Sequence, residues 1–129
     1  MTSIVVIDHE SMLLDLMSNA LRLDGYTVKA MDDPVAACDF IIASWPSVDL
    51  LITDTQMQPI SGFELVTRLR RTSIDCPVIF TSNHHGLASV IAESFGQRVV
   101  IEKPFTAAAL RTAVRELLAA SQETSSHGA

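Results

Sequence analysis

The sequence predicts an α/β fold built on a five-stranded parallel sheet with helices on both faces. Two observations predict it. Short apolar runs rich in β-branched residues recur along the chain, and segments with the three- and four-residue apolar spacing of helices separate them. This alternation is typical of parallel strands joined by right-handed crossovers. A chain of 129 residues with 48% hydrophobic content suffices for one such domain with a buried core.

The first half of the chain contains three predicted strands and two predicted helices. The strands are residues 4–7, 26–31 and 48–54, and the first helix has its apolar period over residues 13–21. Gly25 is placed to end that first helix. Asp33 is expected to cap the second helix, which has Pro34 in its first turn and Pro46 after its end.

The second half supplies the remaining elements. Its strands are residues 76–82 and 98–104. The third helix begins after Ser61, the fourth covers residues 87–95, and the fifth begins after Thr106. Residues 121–129 are small and polar, so we expect a tail or linker stub there and a domain of residues 1–120.

Charge and cysteine content restrict the class of protein. The net charge is −6 without a basic stripe, which argues against direct nucleic-acid binding. Cys38 and Cys76 lie in apolar segments, as expected for buried thiols in a reducing compartment. The N-terminus has no basic region or signal-length apolar run, and no segment approaches membrane-spanning length. We therefore expect a soluble, cytoplasmic protein.

Chemistry-bearing residues follow four of the predicted strands. At this size the flavodoxin-like strand order 2-1-3-4-5 is the common arrangement, and it makes strands 1, 3, 4 and 5 neighbours. The residues at their carboxyl ends are Asp8, Asp54, Ser82 and Lys103. The topology therefore predicts that these four side chains meet at one rim of the sheet.

The predicted rim suits phosphoryl transfer. Two neighbouring carboxylates need positive charge beside them, which Lys103 and a hard divalent cation would supply. A carboxylate can attack phosphorus and form an aspartyl phosphate, while the cations neutralise the transferred group. These requirements make Asp54 the candidate nucleophile, Asp8 a metal ligand, Lys103 the charge clamp, and Ser82 a donor to a phosphoryl oxygen.

With these positions in register, residues 3–120 resemble the receiver domain of response regulators in bacterial two-component signalling. Further matches are Met57 and Gly62, three and eight positions after Asp54, and the Pro104-Phe105 pair that follows the lysine. The resemblance implies Mg²⁺ held by Asp8, Asp54 and the backbone carbonyl of Gln56.

The resemblance also implies partners and regulation. A histidine kinase or phosphotransfer protein would phosphorylate the acceptor, and the domain would change conformation around its fourth helix, fifth strand and fifth helix. The downstream protein partner is unspecified and homodimer formation is open. The domain is not expected to be an enzyme beyond slow autodephosphorylation.

Three positions depart from the family pattern. His9 stands where a second acid is usual, and Val100 stands where strand five usually carries an aromatic residue. Gln58 stands four residues after Asp54, where proline is usual, and Pro59 comes one position later. Imidazole suits zinc, manganese or iron better than magnesium, so we expect weakened magnesium dependence. Three roles for His9 stay open: a metal ligand, a protonated cation that replaces metal, or a solvent-facing side chain.

Two polar positions and Val100 are candidate modulators. Gln56 and His84 lie two residues after Asp54 and Ser82, places that flank the phosphoryl group in the family and influence its hydrolysis. Solvated side chains are the alternative there. Because Val100 lacks a ring, we expect a smaller response or one routed through another element, such as the loop around His84 and His85.

The same residues leave one alternative function open and disfavour two others. A degenerate receiver that acts only as a phosphorylation-independent interaction module is the alternative, because of His9 and Val100. An aspartate-nucleophile phosphatase is disfavoured since the segment from Asp54 to Gln56 lacks the second acid. A flavin site is disfavoured because Asp8 and Glu10 would repel phosphate after strand one.

Overall fold

The five parallel strands form one sheet in the order β2-β1-β3-β4-β5, which confirms the predicted topology. The computed structural model describes residues 1–83, 85–96 and 98–128. The strands are β1 (Ser3–Ile7), β2 (Thr27–Met31), β3 (Leu50–Asp54), β4 (Val78–Ser82) and β5 (Arg98–Glu102). In register, Ile7 pairs with Thr53 and Asp54 pairs with Thr81, so the carboxyl ends of the central strands are level.

Helices cover both faces of the sheet. They are α1 (Ser11–Leu23), α2 (Pro34–Ser44), α3 (Gly62–Arg71), α4 (His85–Ala92) and α5 (Ala107–Gly128), with a 3-10 turn at Glu93–Phe95 before β5. Alternation along β1 divides the core, because Val5 and Ile7 pack under α2 and α3 whereas Ile4 and Val6 pack under α1 and α5. We call these two clusters the α2–α3 core and the α1–α5 core.

The predicted caps form at the starts of α2, α3 and α5, and in the last of these the Thr106 hydroxyl accepts from the backbone N–H of Ala109 at 3.0 Å. The Asp33 carboxylate accepts hydrogen bonds from the backbone N–H groups of Val35 and Ala36, at 2.9 and 3.3 Å. The Ser61 hydroxyl accepts from the backbone N–H of Glu64 at 3.1 Å. Each bond satisfies a donor that the first turn of a helix leaves unpaired. The second cap fixes α3 directly after the loop that follows Asp54.

Several boundaries differ from the sequence-based expectations: β3 and β4 begin two residues later than predicted, β5 ends two residues earlier, and α4 ends at Ala92, before the 3-10 turn. α4 begins at His85, two residues before the predicted start, and α5 continues to Gly128 through the segment expected to be a tail. The apolar period of α5 ends earlier in the sequence, so hydrophobic spacing alone could not show how far the helix extends.

Both cysteines are free and buried in the α2–α3 core, as predicted. Burial raises the pKa of the Cys76 thiol to about 11, outweighing the opposing effect of Arg70, so this thiol stays protonated at neutral pH. Within the described ranges, no helix combines the length and apolar content needed to cross a membrane.

Candidate phosphoryl-transfer site

The four side chains predicted at the strand ends do meet at one rim. Asp54 ends β3, Ser82 ends β4, and Asp8 and Lys103 directly follow β1 and β5. Asp8, Asp54 and Ser82 are 0%, 2% and 1% exposed. The Lys103 side chain is 7% exposed. The rim therefore holds two carboxylates, a hydroxyl and an ammonium group in a largely dehydrated place.

Lys103 bridges the two carboxylates. Its Nζ donates to Oδ2 of Asp8 at 3.0 Å and to Oδ2 of Asp54 at 3.2 Å. Burial by itself lowers the pKa of Lys103, but the hydrogen bond to Asp8 and the charge of Asp54 outweigh it, so the net pKa is raised. The lysine is therefore charged at neutral pH and offsets part of the repulsion between the acids.

Backbone donors hold the other oxygen of each carboxylate. Oδ1 of Asp8 accepts from the N–H of Glu10 at 2.8 Å, and Oδ1 of Asp54 accepts from the N–H of Gln56 at 3.2 Å. Each acid is thus fixed by a lysine on one oxygen and a peptide group on the other. Such fixed orientation is what a site for charged transition states requires.

A pair of hydroxyl groups lies beside Asp54. The Oγ1 of Thr55 donates to the Oγ of Ser82 at 3.2 Å, and both residues are buried. The backbone N–H of Thr55 donates to the carbonyl of Thr81 at 3.0 Å, which ties the loop after β3 to β4. Thr55 was not among the predicted site residues. Its position directly after the candidate nucleophile is the signal that could have identified it.

Gly62 lets α3 begin against the end of β3. A Cβ atom at this position would lie 2.1 Å from the backbone carbonyl oxygen of Asp54. The N–H of Gly62 also donates to the carbonyl of Thr55 at 3.1 Å. No side chain fits between helix and strand here, which gives a steric reason for the glycine that the family resemblance singled out.

His9 faces the carboxylates although its ring is 58% exposed. Its Nδ1 lies 3.4 Å from Oδ2 of Asp54 and 3.7 Å from Oδ1 of Asp8. Glu10 is farther from the centre, with its carboxylate 3.9 Å from Nζ of Lys103. One donor atom each from Asp8, His9 and Asp54 all lie within 4.8 Å of one another, close enough to ligate one ion.

An open cavity of about 580 Å³ leads to this rim. Its lining residues are His9, Thr55, Gln56, Met57, Gln58 and Ser61. Gln56 is exposed and lies at the opening of this cavity. His84, the other predicted modulator, lies outside the described residues.

Val100 occupies the β5 position where the family usually has an aromatic residue, and three phenylalanines lie in or against the same core. Val100 pairs with Phe80 across β4 and β5 and packs against the α2–α3 core. The rings of Phe63, Phe80 and Phe95 have centroids 4.8 to 5.9 Å apart. Phe80 lies on β4 as the register partner of Val100, and Phe95 lies in the 3-10 turn that precedes β5.

The pocket has the charge and the donors for a divalent cation. The carboxylates of Asp8, Glu10 and Asp54 carry three negative charges against the one positive charge of Lys103, which leaves a net charge of −2. The buried oxygens of Asp8 and Asp54 suit a hard ion such as Mg²⁺, whereas the imidazole of His9 does not. The residues present therefore fit a dication, with one donor that is unusual for magnesium.

Comparison with known proteins agrees with this geometry. Residues 4–115 match the family model described as the response regulator receiver domain. The response regulator MprA of Mycobacterium avium is 28% identical over 116 residues, which are 89% of this chain and 50% of that protein. The chain spans roughly half the length of the curated relatives it matches.

Solved structures have the same fold. A response regulator receiver domain protein from Clostridium thermocellum is 25% identical, with a TM-score of 0.86 over 96% of this chain and 99% of that one. The response regulator TrrA of Thermotoga maritima, solved in complex with Mg²⁺ and BeF, is 25% identical, with a TM-score of 0.76 over 91% and 99% of the two chains. The chain belongs to the receiver domain family of the response regulators in two-component systems.

Proposed function

We propose that this protein acts in the cytoplasm, that Asp54 accepts a phosphoryl group from a histidine kinase or phosphotransfer protein, and that the domain signals through the resulting change in conformation. The observation that supports this most is the bridge from Nζ of Lys103 to the buried carboxylates of Asp8 and Asp54, at 3.0 and 3.2 Å. A buried ammonium between two fixed carboxylates is suited to balancing the charge of an incoming phosphoryl group.

In the proposed reaction an Asp54 carboxylate oxygen attacks phosphorus as the bond to the donor's histidine nitrogen breaks. That nitrogen keeps the bonding electron pair, and the aspartyl phosphate forms without an added oxidant or reductant. Lys103 neutralises charge on the phosphoryl oxygens, and the hydroxyl of Ser82 or Thr55 donates to one of them. A divalent cation held by Asp8, Asp54 and the carbonyl of Gln56 would supply further positive charge there.

The remaining predicted roles belong to the same proposal. Gln56, at the mouth of the cavity, and His84 would govern the access of water and hence the lifetime of the phosphoryl group. Residues 1–120 would form the receiver unit, with residues 121–129 as a tail or linker. The unit would act through a protein partner, without direct contact with nucleic acid or membrane.

The proposal is tested by intact-mass spectrometry after incubation with acetyl phosphate and a divalent cation. We expect wild type to gain the mass of one phosphoryl group and Asp54→Asn to gain none. Because asparagine has nearly the same shape as aspartate, this variant is expected to keep the fold. An equal gain in both proteins would refute Asp54 as the acceptor.

A degenerate receiver is the second candidate, favoured by His9 in the place of an acid and by Val100 in the place of an aromatic residue. Beryllofluoride separates the two, because it imitates a phosphoryl group without needing transfer chemistry. Binding at Asp54, seen as shifts of the backbone amide signals around Thr55 and Gln56, supports the phosphoacceptor. A spectrum without change supports the interaction module.

A further inference from the structure

We propose that this pocket selects a first-row transition-metal dication over Mg²⁺, with Nδ1 of His9 as a nitrogen ligand beside Asp8 and Asp54. The inference deepens the proposed function, since it concerns the same pocket, and it rests on that function only for its biological use. The metal preference itself is a property of the donor atoms and can be measured without any phosphodonor.

The groups around the His9 ring carry a net negative charge. Asp8 and Asp54 are almost completely buried, and one ammonium cannot neutralise both of them and Glu10. Buried like charges resist ionising together unless a cation lies beside them. A dication would bring the net charge of −2 in this group to zero. The electrostatics therefore call for a doubly charged ion at the place that His9 borders.

The distances from Nδ1 of His9 to the two carboxylates are close to those between ligands of one ion. Adjacent ligand atoms in an octahedral shell around such an ion lie about 3 Å apart, given metal–ligand distances of about 2.1 Å. Nδ1 of His9 is 3.4 Å from Oδ2 of Asp54 and 3.7 Å from Oδ1 of Asp8. Closing these gaps to about 3 Å needs shifts of about 0.4 and 0.7 Å. The ring is 58% exposed, so it can make such a shift without disturbing the core.

Both acids are already oriented, and the imidazole belongs to the residue that directly follows Asp8. Oδ1 of Asp8 accepts from the N–H of Glu10, and Oδ2 of Asp54 accepts from Lys103. A carboxylate oxygen has two lone-pair directions, so each of these atoms can ligate an ion while keeping its present partner. The backbone bond that follows Asp8 also places the imidazole at the mouth of the pocket.

Mg²⁺ and transition-metal dications prefer different ligand atoms. Mg²⁺ demands oxygen donors in a near-ideal octahedron and keeps several of its water molecules. Imidazole nitrogen suits transition-metal dications, whose affinities for nitrogen and oxygen sites rise from Mn²⁺ towards Cu²⁺. Replacing an oxygen donor by nitrogen therefore costs Mg²⁺ more affinity than it costs Mn²⁺ or Zn²⁺. A site with two carboxylates and one imidazole should discriminate accordingly.

The test uses Mn²⁺ as the probe and Mg²⁺ as the competitor on the full chain without a phosphodonor. Binding is followed by the loss of the free Mn²⁺ electron paramagnetic resonance signal. We expect the ratio of the Mg²⁺ and Mn²⁺ dissociation constants to fall about tenfold in His9→Asp, because an oxygen donor replaces the imidazole nitrogen that Mn²⁺ tolerates better than Mg²⁺ does. His127→Ala, which removes a histidine of the C-terminal segment, should leave the ratio unchanged.

Pulsed electron paramagnetic resonance supplies a second readout. Bound Mn²⁺ should show a coupling to an imidazole ¹⁴N nucleus in wild type and His127→Ala, and no such coupling in His9→Asp or His9→Ala. A wild-type spectrum without nitrogen coupling, or an unchanged ratio in His9→Asp, would overturn the inference. Phosphorylation at saturating Mg²⁺ would then still support the proposed function, whereas nitrogen ligation without any phosphorylation would refute only that function.

Discussion

At the scale of single residues, Lys103 accounts for how two acids can be buried side by side. Its ammonium group contacts both Asp8 and Asp54, and its own pKa is raised by them despite the opposing effect of burial. A group with a raised pKa stabilises the fold fully below its unfolded-state value and loses that effect as pH rises through the folded-state value. The contribution of Lys103 is therefore expected to be constant from neutral pH to near 10.5.

The corresponding prediction is that Lys103→Ala lowers the free energy of unfolding by about 3 kcal/mol at neutral pH, since buried charges lose their partner. Phosphorylation by acetyl phosphate should become at least about a hundredfold slower. Urea unfolding and the rate of mass gain measure the two effects. Lys29→Ala removes an exposed lysine and serves as the control. Equal rates in the two variants would contradict the role of Lys103 as a charge clamp.

Gly62 is a second residue whose role is steric. Gly62→Ala would place a Cβ 2.1 Å from a backbone oxygen, so α3 or the end of β3 must move. We expect a loss of about 3 kcal/mol in the free energy of unfolding, near the upper end for overpacking.

Gly86→Ala in α4 is the matched control, because a Cβ there has no neighbouring atom within 4 Å. Alanine in an exposed helix should be neutral or stabilising by up to about 1 kcal/mol. Urea denaturation of both variants gives the comparison. Similar unfolding midpoints would show that α3 does not approach β3 as closely as described.

At the scale of elements, the 3-10 turn before β5 is fixed to α3 in two ways. The Phe95 ring stacks on Phe63 with centroids 5.9 Å apart, and Arg70 donates to the Phe95 carbonyl at 3.1 Å. Arg70 also donates to the carbonyls of Ile74 and Cys76, at 2.8 and 3.1 Å. Because α3 also begins against the Asp54 backbone, this helix contacts both the end of β3 and the turn before β5.

This arrangement predicts energetic coupling between the two rings. A double-mutant cycle with Phe63→Ala and Phe95→Ala should give an interaction of about 1 kcal/mol, as expected for an aromatic pair in contact. Unfolding in urea gives the four free energies. Strict additivity of the single variants would mean that the rings do not support each other.

Another contact between elements joins the end of α1 to α5. Arg111 donates to Asp24 from Nε at 2.7 Å and from a terminal nitrogen at 2.5 Å. This hydrogen bonding lowers the pKa of the Asp24 carboxyl below 3.8, with burial opposing it. A lowered pKa stabilises the fold above the unfolded-state value, and the effect is lost as pH falls through the folded-state value.

We therefore expect Arg111→Gln to lower the melting temperature at neutral pH. The difference from wild type should begin to shrink below the ordinary value of 3.8 and vanish in stronger acid. Thermal unfolding across that range measures it, with Arg71→Gln, which removes an exposed arginine at the end of α3, as the control. A difference that stays constant down to the acid limit would show that packing, and not charge, joins the two elements.

The strands and helix starts could be predicted from the sequence, whereas several contacts between elements could not. Apolar runs and caps at Asp33 and Ser61 predicted the strands and helix starts because these signals are local. The Phe63–Phe80–Phe95 cluster and the three carbonyl contacts of Arg70 were not predicted, because they join residues that share no spacing pattern. The extent of α5 was missed for a different reason: residues 121–128 have no apolar period to mark a helix.

At the scale of the whole molecule, sheet order makes the site. Asp8 and Lys103 are 95 positions apart in the chain, yet their side chains are hydrogen bonded. The site could be predicted because a parallel α/β topology fixes which strand ends are neighbours. What topology leaves undetermined is the setting of each side chain, such as the direction of the His9 ring and the pairing of Thr55 with Ser82.

The most direct measurement is the location of the phosphoryl group. After incubation with acetyl phosphate, borohydride reduces an aspartyl phosphate to homoserine, and tandem mass spectrometry of the digest identifies the altered residue. The account predicts homoserine at position 54 in wild type and a strongly reduced yield in Lys103→Ala. Homoserine at another aspartate, or none in wild type under conditions where beryllofluoride also fails to bind, would contradict it.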